Sequence, residues 1–155
     1  MDIDRYREAV AANRRKHGFD AVEGDADGFD RLWSAREEDP TVGHVSVLAT
    51  VVDATDDDAE DVVAGADRFR ELLVERSDGG DSATPIGYVA FAVTSPGEDL
   101  VSAATSYTVA ERRTNVFPLV YDLGNERLHT HPVPRLKGRG IYRRQREDAD
   151  RLFDV

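Results

Sequence analysis

Apolar residues recur at helical spacing from the start of the chain. Tyr6, Ala9, Val10 and Asn13 fall on one face of a helix predicted over residues 4–17, and Gly18 follows where a C-cap glycine would end it. Residues 24–27 are acidic and loop-like. Phe29, Leu32 and Trp33 then form one face of a short second helix that must stop before Pro40. Over 41–54 the pattern turns from periodic to continuous. Val45-Ser46-Val47-Leu48-Ala49-Thr50-Val51-Val52 is β-branched and almost unbroken, which fits a central strand covered on both faces. Thr55 to Asp58 supplies helix-start residues and negative charge for a helix dipole. The helix over 59–76 carries Val62, Val63, Ala66, Phe69, Leu72 and Leu73 on one face, and residues 77–84 read as a flexible loop.

A second apolar run, 86–94, predicts another buried strand. It leads into Ser95-Pro96-Gly97-Glu98, where Ser95 reads as an N-cap, Pro96 suits the first helical position and Glu98 can reach back. The helix that follows presents Leu100, Ala103, Ala104 and Tyr107. A third strand is expected over 115–122, a turn at 123–126 and a fourth strand over 127–131. A last helix over 140–153 has Ile141, Gln145, Ala149, Leu152 and Phe153 as its inner face. The order α-α-β-α-β-α-β-β-α contains two strand–helix–strand steps, which imply right-handed crossovers and parallel strands, while the hairpin adds an antiparallel one. The expected fold class is α/β, a roughly four-stranded mixed sheet flanked by helices. A length of 155 residues suits one domain over 1–155, with 1–39 as a helical arm and 41–155 as the sheet core with its C-terminal helix.

The charge balance is the strongest signal in the composition. Asp and Glu number 31 against 20 Lys and Arg, for a net charge of -11. Aspartate outnumbers glutamate 20 to 11, and arginine outnumbers lysine 18 to 2. At ordinary ionic strength so many like charges repel, but in molar salt the Debye length falls to ~3 Å and most of that repulsion vanishes. This composition resembles that of salt-in halophiles such as haloarchaea. There is no cysteine, which excludes disulfides, thiolate metal sites and thiol chemistry. The opening Met1-Asp2-Ile3-Asp4-Arg5 lacks an apolar signal region, and the apolar run 45–52 is far short of the ~20 residues a membrane helix needs. A cytoplasmic location and no membrane contact are therefore expected.

From Val47 onward the β-α-β-α-β-β-α order is similar to that of the thioredoxin-like fold. The segment Val116-Phe117-Pro118-Leu119-Val120-Tyr121-Asp122-Leu123-Gly124-Asn125-Glu126 resembles that family's proline-led strand and hairpin. The resemblance covers about two-thirds of the chain and implies that Pro118 stands at the place of the family's cis-proline. The family's dithiol would sit near residues 53–59, where this chain has no cysteine. The alternative architecture is thus a thioredoxin-like fold without cysteines.

Few residues offer chemistry. No phosphate-binding loop, dinucleotide fingerprint or nucleophile elbow is present, so no catalytic residue and no cofactor is expected. His129 and His131 would face one side of a strand and could share a metal, with His44 or Asp122 as a third ligand. The plainer alternative is a strand end with two solvated histidines. The clusters Asp56-Asp57-Asp58 and Glu98-Asp99 follow predicted strands, where sites gather in α/β sheets, but helix capping accounts for them equally.

The tract from Arg135 to Arg146 is the exception in an acidic chain. Arg135, Lys137, Arg139, Arg143, Arg144 and Arg146 lie there with no acid among them. Residues 1–134 carry a net -14 and residues 135–155 a net +3. Such arginines could contact a phosphate, nucleotide or nucleic acid, or pair with the protein's own acids or a second subunit. Arg14-Arg15-Lys16-His17 is a smaller version at a helix end, where it also suits the dipole. The first expectation for function is a non-catalytic regulatory or interaction module with a protein partner or a second copy. The second is a phosphate-recognising enzyme or nucleic-acid-binding protein using the arginine tract.

Overall fold

The computed structural model describes residues 1–22, 28–77, 82–136 and 139–155. The loop expected at 24–27, residues 78–81 of the loop expected at 77–84, and Lys137 with Gly138 lie outside the described residues; Ser77 ends α2 and Thr84 begins β4. The chain runs α1 (Ile3–Lys16), β1 (Asp20–Ala21), β2 (Trp33–Asp39), β3 (Gly43–Asp53), α2 (Ala59–Ser77), β4 (Thr84–Val93), α3 (Glu98–Thr105), β5 (Ala110–Glu111), β6 (Thr114–Asp122), β7 (Arg127–His129) and α4 (Arg139–Leu152). One mixed sheet holds the strands in the order β1-β2-β3-β4-β6-β5, with β7 pairing on β6. The three central strands β3, β4 and β6 are parallel. No helix among the described residues is long and apolar enough to cross a membrane.

The α/β class follows from the two crossovers. Because β3, β4 and β6 step across the sheet in one direction, right-handed crossovers place α2 and α3 on the same face. That face buries Leu48, Val89, Phe91, Val116 and Val120 beneath Phe69, Leu72, Leu73 and Leu100. The opposite face carries Val47, Ala49, Ile86, Tyr88, Phe117, Leu119 and Tyr121, packed with Tyr6 and Val10 of α1 and Ala149 and Leu152 of α4. The alternation of these two sets along each strand is the period of the pleat.

The expected four-stranded sheet is corrected to one of seven strands among the described residues. The largest change is β2, which replaces the short helix expected on Phe29, Leu32 and Trp33 and brings residues 33–39 into the sheet. Its inward positions are Trp33, Ala35, Glu37 and Asp39. Two of the four are carboxylates, so the apolar–polar alternation that marks a strand never appears in the sequence. The expected cap at Ser95 is also corrected. α3 begins at Glu98 with Gly97 as N-cap and no side-chain cap bond. A reciprocal cap forms instead before α2, where Asp58 and Asp61 each accept the other's backbone N–H, at 2.9 and 3.0 Å.

The thioredoxin-like alternative fails at its key residue. The Phe117–Pro118 bond is trans, and Pro118 sits opposite Val89 in the parallel ladder of β6 on β4. On the other edge of β6, β5 pairs only with Thr114 and Asn115, and β7 only from Val120 to Asp122. Pro118 lies in the gap between them, a position where a missing N–H leaves no ladder bond unmade.

Gly87 is fixed by packing. A Cβ there would lie 2.5 Å from Cε2 of Phe69 and 3.1 Å from Cδ2 of Leu73, both in the α2 core. Gly87→Ala is expected to destabilise the protein by about 1–3 kcal/mol, the usual cost of overpacking a filled core. Urea unfolding checks this, and an unchanged midpoint would show that α2 can lift away from the sheet.

Candidate interaction surface

The arginine tract divides between the interior and the solvent. α4 starts against the β2–β3 turn, since a Cβ on Gly140 would meet Cγ2 of Thr41 at 2.8 Å. From there its inner face points Arg144 and Asp148 at the sheet. Arg144 donates from Nε to Oδ2 of Asp148 at 2.9 Å and from Nη2 to Oε1 of Glu37 at 2.5 Å, with Oδ2 of Asp39 3.7 Å from Nη1. Tyr88 donates its hydroxyl to Oδ2 of Asp148 at 2.6 Å. Arg151 closes the group, donating to Oδ1 of Asp148 and to both oxygens of Glu37. Arg143 is half-buried, donating to Oγ1 of Thr41 at 2.7 Å and to Glu147 at 3.3 Å.

Burial alone would raise the Glu37 and Asp39 pKa values. For Glu37 the hydrogen bond and charge of Arg151, then Arg144, reverse this and lower it. Asp39 is lowered by the backbone N–H groups of Val42 and Thr41, then by Arg144 and Arg143. These ion pairs and the Tyr88 hydroxyl thus tie together β2, the central strand β4 and α4.

The rest of the tract faces outward. The side chains of Arg135, Arg139 and Arg146 are exposed and make no hydrogen bond or ion pair among the described residues. Leu136, next to Arg135 in the chain, is 86% exposed, far above any other large apolar residue described. Lys137 lies outside the described residues.

The two candidate metal histidines are separated in environment. His131 is buried. Its Nε2 lies 3.0 Å from the carbonyl of Pro118, and its backbone exchanges two 3.1 Å bonds with the Gln145 amide. Burial lowers its pKa despite the carbonyls of Pro118 and Ala104 around the ring. It fills the gap left in the β6 edge at Pro118. His129, at the end of β7, borders an open groove with Asp122, Asn125 and Ser102. Asp122 is already occupied, accepting from the N–H groups of Gly124 and Asn125 and from the Asn125 amide. His44 lies at the other end of the strands, at the start of β3, 3.5 Å from Glu38. Among the described residues no group of three His, Asp or Glu side chains could hold a metal ion.

The acidic clusters stand at the carboxyl ends of strands, Asp56 to Asp58 after β3 and Glu98-Asp99 after β4. Asp58 is consumed in the α2 cap. A cleft of about 920 Å³ along α1, bordered by Asp4, Arg7 and Arg15, by Asp30 and Arg31, and by Trp33, has no counterpart in the sequence pattern. Arg7 bridges to Asp30 at 3.3 Å. Its residues come from three separate segments and alternate in sign, so it selects no single ligand charge. The smaller basic run at the end of α1 also turns partly inward, with Arg14 over the Trp33 ring and donating to the carbonyl of Phe19.

The surface around Leu136 therefore stands apart as the one place where cations and an exposed apolar side chain occur together among the described residues. No family model, no curated protein and no solved structure matches this chain, so its reading rests on these residues alone.

Proposed function

We propose that this protein is a non-catalytic interaction module that docks an acidic protein surface on the outward face at the start of α4. The observation that carries the reading is Leu136, 86% exposed and next to Arg135 in the chain, in the same tract as Arg139 and Arg146; the three arginines hold no ion pair among the described residues. Acids outnumber bases 31 to 20 in this chain, so scarcity of partners does not leave these arginines unpaired. Arg143 and Arg144 take the intramolecular role that the tract also allowed. The composition further fits a cytosol of concentrated salt, in which exposed charges attract weakly and an apolar anchor gains weight.

Salt decides between a protein and a nucleic acid. Neutralising three or four phosphates gives a slope of about -3 to -4 in log K against log salt, a loss of roughly 10³–10⁴ for each tenfold rise. A surface of so few free arginines does not hold nucleic acid in molar salt. A partner with an apolar pocket for Leu136 is spared that penalty.

The test compares wild type with Arg135→Glu/Arg139→Glu/Arg146→Glu and with Leu136→Ser, each immobilised in 2 M KCl over a lysate of the source organism. A retained protein that both variants lose is the expected result. Fluorescence anisotropy with RNA and DNA at low and molar salt runs beside it, with circular dichroism verifying the fold. Nucleic-acid binding that survives molar salt and vanishes in the triple variant, with no protein retained, would overturn the reading for the phosphate-binding one.

A further inference from the structure

The segment that ends in Arg135 and Leu136 starts from a clasp between His131 and α4. The Gln145 amide is buried. Its Oε1 accepts from the His131 N–H at 3.1 Å, and its Nε2 donates to the carbonyls of His131 at 3.1 Å and Tyr142 at 3.0 Å. Pro132 and Pro134 follow, and their fixed φ limits the slack between this clasp and Leu136. The His131 imidazole is itself buried. β6 sets the Phe117 ring and the Pro118 carbonyl against it, α3 the Ala104 carbonyl, and α4 Tyr142 and Gln145. Tyr142 is the titratable group among these, its ring centroid 6.3 Å away, and His129 stands two residues earlier at the end of β7. No carboxylate among the described residues pairs with His131. Other buried ions are compensated. Asp39, Asp148, Arg144 and Arg70 each face an opposite charge, and Asp122 accepts three N–H bonds. Burial lowers the His131 pKa further than the two carbonyls raise it, so the closed clasp suits a neutral ring.

From this geometry we infer that His131 and Gln145 form an acid-released clasp on the segment that presents Leu136, closed around a neutral imidazole and opened when the ring takes up a proton. The inference rests on the interaction reading above and adds its regulation: docking holds at neutral pH and weakens in acid. The sign follows from linkage. A histidine held below its ordinary value stabilises the closed form above that value and ceases to do so as pH falls. Opening therefore gains up to about tenfold per pH unit, from the ordinary imidazole value of ~6.5 down to the lower value of the closed form. The opening is local, because the clasp lies at the edge of β6 and the central strands keep their own bonds.

Amide hydrogen exchange followed by NMR in 2 M KCl from pH 7.5 to 5.0, corrected for intrinsic rates, makes the test. The His131 N–H is expected to lose protection by up to about tenfold per unit below pH ~6.5, while the amides of β3 and β4 keep theirs. His131→Gln keeps an N–H in reach of the Pro118 carbonyl without a titrating ring and is expected to flatten that profile. A flat profile in wild type overturns the clasp as a switch. A slope that survives in His131→Gln assigns the opening to another group and overturns it too. Should that variant not fold, the wild-type ring decides: His131 ring shifts that stay constant while protection falls overturn the inference. Retention of a lysate protein by immobilised wild type is measured beside this at pH 7.5 and 5.0. Equal retention at both values while the clasp opens overturns the regulation of docking. No retention at either value fails the interaction reading, and the exchange profile still decides the clasp.

Discussion

Replacing Arg144 by alanine is expected to destabilise the protein by about 3–5 kcal/mol, the cost of breaking a buried ion pair from one side. Arg144 is 5% exposed and lies among Glu37, Asp39 and Asp148, with Arg151 as the other cation in contact with the group. Its loss leaves three carboxylates to one guanidinium and strips Asp148 of one donor. Glu37→Gln should cost clearly less, because Arg144 keeps Asp148 and Asp39 and the new amide still accepts. The effect should also depend on pH, with a sign that can be worked out. Glu37 and Asp39 are held below the usual carboxylate range, so their contribution is fully present above that range. It is lost as pH falls through the lowered native values. Without Arg144, burial weighs more and the same carboxylates protonate at higher pH, which relieves the variant. The gap between wild type and Arg144→Ala should therefore narrow from pH 7 toward pH 4. Urea unfolding at several pH values measures it, and a constant gap would show that lost packing, not charge, sets the cost.

This group also explains what the sequence hid. The central strands were legible because β3, β4 and β6 are buried on both faces and read as unbroken apolar runs, and α2 and α4 because their inner faces repeat at helical spacing. β2 was not, because Glu37 and Asp39 face inward, paired with arginines more than 100 positions away. A rule that places charge outside cannot anticipate a pairing that only the fold creates. β5 was hidden by its turn. Arg112 and Arg113 have φ of 53° and 61°, the conformation of a two-residue hairpin turn that Asn-Gly normally signals. The arginine tract was visible as a composition break, but its division into Arg144 inside and Arg135, Arg139 and Arg146 outside needed the phase of α4 against the β2–β3 turn. The halves look alike in sequence and differ in what they meet.

Arg70→Ala is expected to cost a similar amount, about 3–5 kcal/mol, but through backbone groups rather than charges. From α2 the buried guanidinium of Arg70 donates to the carbonyls of Thr108, Val109 and Glu111 and to Oγ1 of Thr114, at 2.5 to 3.0 Å. These acceptors belong to the segment joining α3 to β6, including the Arg112-Arg113 turn. Each left-handed non-glycine residue there costs roughly 1–2 kcal/mol, so the turn persists only while its flanks are held. Removing Arg70 leaves the Thr108 carbonyl without its donor, takes one donor from the Val109 and Glu111 carbonyls, which keep the Val116 N–H and the Thr114 hydroxyl, and loosens the strained turn. Lysine should recover less than half of the loss, since a compact ammonium cannot reach acceptors fanned around a planar fork. Placing Asn-Gly at 112–113 in the Arg70→Ala background should regain about 1 kcal/mol by removing the strain. Hydrogen exchange gives the sharper readout. The amides of β5 and the start of β6 should lose protection well before those of β3 and β4, because the change opens a local segment. Uniform loss across the sheet would instead make Arg70 a tie for the whole fold, and would place this connection among the structures that form with the core.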